Sequence, residues 1–188
     1  MNPDLRARLE DFLRPLHQDL DGASRFDEVE RIAAIARRLH SPAAGEERAF
    51  ELLLLLHRLG KWREKVGNIS RTVLAVGDIG EGDLRRTAAS IRRLDAPQSA
   101  AERAVAAAIL IDSAGVRGLT ERFAGARREG NSLMDVLRAA ASDTLVPDWL
   151  PLAAEAWLHS RREARREVCR RLLEELALED EPQDQSPR

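Results

Sequence analysis

Residues 50–61 read Phe50-Glu51-Leu52-Leu53-Leu54-Leu55-Leu56-His57-Arg58-Leu59-Gly60-Lys61. A helix built on five consecutive leucines is apolar nearly all round. Such a helix has to be enclosed by others, so this segment predicts the buried central helix of the fold. Ser41-Pro42 upstream is a start signal, with the hydroxyl as N-cap and the proline at the first helical position. Gly60 stands where a C-cap glycine would end the helix.

The rest of the chain supports an all-α fold. Leu, Ala, Arg and Glu dominate its 188 residues, and these are strong helix formers. Residues 3–13 form a first helix with Leu5, Leu9, Phe12 and Leu13 on one side, and Pro15 is expected to interrupt it. Ser24 can cap a second helix, whose apolar set Val29, Ile32, Ile35, Ala36 and Leu39 recurs near every 3.6 residues. Residues 62–76 are read as helix, and Gly77 to Gly82 as a loop. Residues 83–94 follow as a helix. Ser99 and Glu102 form a capping box ahead of a long helix running to about Ala124. Ser132 and Asp135 signal another cap. The last helix begins between Pro147 and Pro151 and ends near Leu178, with a stripe of Leu152, Ala156, Trp157, Ala164, Val168, Leu172 and Leu176. One domain over residues 1–178 is expected, followed by a disordered acidic tail over 179–188 with two prolines.

Charge and cysteine content exclude several function classes. Thirty basic residues oppose 32 acidic ones, for a net charge of −2. That balance makes nucleic acid an unlikely partner. Cys169 is the only cysteine, so neither an internal disulfide nor a cysteine-built zinc site can form, and a reducing, cytoplasmic setting follows. No apolar run approaches membrane-spanning length, and Asp4 and Glu10 argue against a signal peptide.

Three stretches carry a family resemblance. Leu55-Leu56-His57-Arg58-Leu59-Gly60-Lys61 resembles the Leu-Leu-His-Asp-x-Gly-Lys signature of the HD phosphohydrolase superfamily. Ile111 to Leu119 is similar to a later acidic segment of those enzymes, with Asp112 and Gly115 in register. Ala153 to Glu179 looks like their closing helix, with Ala156, Ser160 and Arg162 or Arg166 as echoes. The similarity spans residues 24–178. It implies an HD-like helical bundle and, in active relatives, a divalent metal (Mn, Fe or Mg) that acidifies a bound water for phosphoester hydrolysis.

The departures from that pattern matter as much. The resemblance places Glu28 where an early His ligand belongs, keeps His57, and puts Arg58 in place of the Asp. The later Asp falls among Ala107 to Ile109. His57 and Glu28 are thus possible remnants of a metal site. A guanidinium about 4 Å from a dication costs roughly 8 kcal/mol at an effective dielectric near 20. No cofactor is therefore expected.

Three readings stay open: a non-catalytic binding or regulatory module contacting protein partners or a second copy; a metal-dependent phosphohydrolase with His57 in the catalytic position, acting on a nucleotide or other phosphomonoester; and a metal-free phosphate or nucleotide sensor in which Arg58, Lys61 and Arg31 hold the phosphate. His17, His40 and His159 read as surface or capping residues. The arginines at 161, 162, 165, 166, 170 and 171 alternate with glutamates and read as a solvated helix face.

Overall fold

The computed structural model describes residues 3–18, 26–58 and 79–179. Helix is the only regular structure among them, so the all-α expectation holds. The helices are α1 (Pro3–Gln18), α2 (Phe26–Leu39), α3 (Glu47–Leu56), α4 (Glu81–Arg92), α5 (Ala100–Ala114), α6 (Val116–Glu129), α7 (Leu133–Ser142) and α8 (Leu152–Glu179). Among the described residues, no helix is long and apolar enough to cross a membrane. Ser24, Gly60, Lys61, the 62–76 segment and the tail from 180 onward lie outside the described residues.

One domain over 1–178 was the expectation. The chain falls into two compact units: Met1–Ile109 with Asp148–Ala154, and Leu110–Pro147 with Glu155–Arg188. In the first, Leu52, Leu55 and Leu56 of α3 bury against Leu9 and Leu13 of α1 and Phe26 and Val29 of α2. Leu53 and Leu54 face the other way, toward Ile32 and Ala36 of α2 and Ala104, Val105 and Ala108 of α5. The leucine run is thus buried on opposite sides, which is why it needs no polar face. Burying a leucine side chain contributes about 1.5–3 kcal/mol. Across the α2–α3 contact, Arg37 donates from Nε to Glu51 Oε1 at 2.8 Å and from Nη2 to Oε2 at 2.6 Å.

Several boundaries differ from those read in the sequence. α1 continues through Pro15, which lies on its exposed side, while Leu9 and Leu13 hold the helix to the core. α3 starts at Glu47 and not at Ser41, because Gly45 adopts φ +90°. That left-handed backbone cannot be part of an α-helix.

The long helix expected from residue 100 to about 124 is broken at Gly115, which is extended. Gly118 packs so tightly against the end of α5 that a β-carbon there would lie 1.8 Å from the Ser113 carbonyl oxygen. Only glycine fits that corner.

Both caps read from sequence are present. Ser99 Oγ accepts from Glu102 N–H at 3.1 Å, and Glu102 Oε2 accepts from Ser99 N–H at 3.1 Å. Ser132 Oγ accepts from Asp135 N–H at 3.1 Å. Glu102 is buried and also takes both Arg93 Nε, at 3.0 Å, and Gln98 N–H, at 2.8 Å. Burial opposes its ionisation, but the Arg93 guanidinium and the amides hold the carboxyl at about 2.

The second unit closes around Leu119 of α6, Leu137 and Ala140 of α7 and Cys169 of α8. Its α8 stripe matches the one expected in its second half, where Val168, Leu172 and Leu176 pack against this core, and differs before it. Leu152, Ala156 and Ala164 are exposed, whereas Leu158, Arg162, Arg165 and Cys169 are buried. A row drawn in steps of four slips about 40° per step around a helix of 3.6 residues per turn. The true buried face alternates steps of four and three, and it passes through two arginines.

Candidate functional site

α2 and the residues just after α3 bring Glu28 and Arg58 together in the first unit, with His57 next to Arg58 in the chain. Glu28 lies in the first turn of α2, where the helix dipole favours a carboxylate. It is nonetheless on the buried side, with its side chain 7% exposed. Its Oε1 holds the Arg58 guanidinium. Oε2 is buried without a hydrogen bond. Arg58 is 24% exposed, so the ion pair sits at the rim of the core with its cation toward solvent.

His57 is buried and continues the helical backbone of α3. Its Nδ1 lies 2.8 Å from the Leu54 carbonyl oxygen. A carbonyl only accepts, so Nδ1 carries the proton. Arg31, three residues past Glu28, directs Nη1 to Asp27 Oδ2 at 3.4 Å on its own helix. Lys61 lies outside the described residues. Of the residues read as candidates, the structure therefore joins Glu28 to Arg58 and gives Arg31 a carboxylate of its own.

A divalent ion does not fit this corner. The one carboxylate already takes a permanent cation, which cannot deprotonate to make way. The positions that the resemblance assigns to the later Asp are the buried methyl groups of Ala107 and Ala108. Among the described residues, no group of three or more His, Cys, Asp or Glu could hold a metal ion.

The described residues of the first unit also form a groove. Arg6, Arg37, His40, Ser41, Phe50 and Glu51 line this groove of about 500 Å³. His40 follows α2, its ring edge-on to Phe50 with centroids 5.2 Å apart. Its Nε2 is buried and makes no hydrogen bond. Its backbone N–H donates to the Ala36 carbonyl oxygen at 3.0 Å, so it closes the last turn of α2 as the capping reading expects, while its ring contact with Phe50 is a tertiary one.

The second unit holds a polar cluster that the reading of α8 as a solvated face missed. Asp143, at the C-terminus of α7, faces three guanidiniums. Arg122 Nη2 lies 3.1 Å and Arg165 Nη2 3.2 Å from its Oδ2, and Arg162 Nη2 lies 3.4 Å from Oδ1. Arg162 Nη2 also donates to the Leu145 carbonyl at 2.6 Å, and Arg166 Nε donates to the Ala141 carbonyl at 3.2 Å.

The arginines thus close the C-terminal end of α7, where partial negative charge gathers. Burial alone would push the Asp143 carboxyl up, but Arg162, Arg165 and Arg122 hold it below the ordinary aspartate range. Arg165 has 0% of its side chain exposed. Burial and the neighbouring cations lower its pKa, against the pull of Asp143. The signal in the sequence was register: Leu158, Arg162, Arg165 and Cys169 are spaced by four, three and four.

No protein-family model matches the chain, and no curated protein sequence matches it. The functional reading therefore rests on this geometry.

Proposed function

We propose that this chain is a non-catalytic binding or regulatory module on a helical scaffold that resembles the HD fold. One observation carries the reading: the Arg58 guanidinium sits on the Glu28 carboxylate, the only acidic side chain that the resemblance offers as a ligand beside His57. A metal would have to displace that cation and accept its repulsion at close range. A phosphate held by Arg58 and Arg31 would have to compete with Glu28 and Asp27, so the geometry favours a structural tie over a phosphate sensor there.

Exposed Leu145 and Leu152, each on its own unit, are apolar surface of the kind a protein partner covers. The lone cysteine is buried, which suits a reducing, cytoplasmic setting.

The test is metal content and turnover. Protein purified without chelator is expected to carry no stoichiometric Mn, Fe or Mg and to leave p-nitrophenyl phosphate uncleaved when those ions are added. Arg58→Asp with Glu28→His is expected to remain inactive, since the later carboxylate is still missing. A full metal complement with hydrolysis in the wild-type chain would return it to the phosphohydrolases.

A further inference from the structure

We propose that the arginine cluster around Asp143 is an anion site that takes a phosphoryl dianion, either inorganic phosphate or a phosphomonoester. This proposal does not depend on the fate of the Glu28–Arg58 corner.

Charge comes first. Arg122, Arg162 and Arg165 converge on the single carboxylate of Asp143, so three permanent cations meet one anion. Nearby acidic side chains are taken elsewhere: Glu163 pairs with Arg166, and Glu167 with Arg170 and Arg171. Cys169 is close enough to feel Arg165 and Arg122, but burial keeps its thiol protonated. Two positive charges remain uncompensated in a place where arginine cannot shed its proton. A dianion matches that excess.

Hydrogen bonding points the same way. Arg165 Nε and Nη1 and Arg162 Nε are buried and have no partner. Both side chains are at least nine-tenths buried. Buried donors without acceptors are rare in folded proteins. The backbone oxygens of Ala141 and Leu145 are already engaged by Arg166 and Arg162. What the remaining donors lack is oxygen acceptors, and three guanidiniums that meet at the Asp143 carboxylate suit a tetrahedral oxyanion.

Access comes through the two rim members. Asp143 is 25% exposed and Arg122 43%, so these two members put the cluster in contact with solvent. The Asp143 carboxylate then acts as the occupant that an incoming phosphoryl group joins or displaces.

The experiment uses the full chain in phosphate-free buffer, with inorganic phosphate and glycerol phosphate as probes. Thermal shift and calorimetry are compared with sodium chloride at matched ionic strength. Either probe is expected to raise Tm saturably where chloride does not. A response to glycerol phosphate alone supports the site and assigns it to phosphomonoesters.

Arg122→Gln, at the rim, is expected to weaken phosphate binding about tenfold without disturbing the fold, the scale of one lost charge-assisted contact. Arg165→Met is expected to weaken it at least as much, and Arg31→Gln to leave it unchanged. If phosphate and its monoester act no differently from chloride, or if Arg122→Gln binds as the wild type does, the cluster serves only to cap α7 and the proposal fails.

Discussion

Two of the corners where a carboxylate meets arginine in this molecule combine them in opposite proportions. In the first unit Glu28 meets Arg58, one anion to one cation, with the guanidinium at the solvent edge. In the second, Asp143 meets three guanidiniums, and the most buried of them keeps two donors unpartnered. The first corner is balanced in charge. The second is left positive. A balanced pair ties two helices together, whereas an unbalanced one either strains the fold or waits for an anion.

Four measurements break or sharpen that contrast. The largest effect is expected from Asp143→Asn, which removes the only carboxylate facing three guanidiniums. Urea unfolding should show a loss of about 4 kcal/mol, within the range for breaking a buried ion pair. A loss under about 1 kcal/mol would mean that the guanidiniums reach water after all.

Arg58→Met comes next. It strands the Glu28 carboxylate in the core of the first unit, and about 3 kcal/mol should be lost in the same assay, less than above because one ion is left without its partner and not three. The third measurement concerns Glu102, a carboxylate tied both to a guanidinium and to backbone amides. Its folded pKa of about 2 lies below the ordinary 4.5. Its contribution is therefore fully present above pH 4.5 and lost as pH falls toward 2. At pH 7, Glu102→Gln should cost about 2 kcal/mol, and the acid limb of the stability–pH curve should flatten between those values.

Arg165→Met should do least, under about 1 kcal/mol in phosphate-free buffer. Arg122 and Arg162 still hold Asp143, and one uncompensated cation is relieved. Equal costs for Arg58→Met and Arg165→Met would erase the distinction between the two corners.

How legible was all this in the chain? The caps at Ser99–Glu102 and Ser132–Asp135 were read correctly because a cap needs only residues three apart. The five leucines announced their burial because no helix face remained for water. The candidate pair was legible only in part. Glu28 and Arg58 could be named from a resemblance, yet that they touch depends on α2 packing against α3. Of the arginines of α8, Arg161, Arg170 and Arg171 are exposed as their charge implies, whereas Arg162 and Arg165 are buried, because register and not charge sets which side of the helix faces the core.

What the sequence determined by itself, then, was helical class, cap positions and the enclosure of residues 52–56, since each depends on interactions within a turn or two of the chain. Tertiary structure alone decided which side of α8 faces inward, and with it that Arg162 and Arg165 are buried around Asp143. Electrostatic partners so far apart in the chain are set by how the helices pack, and no local rule records it.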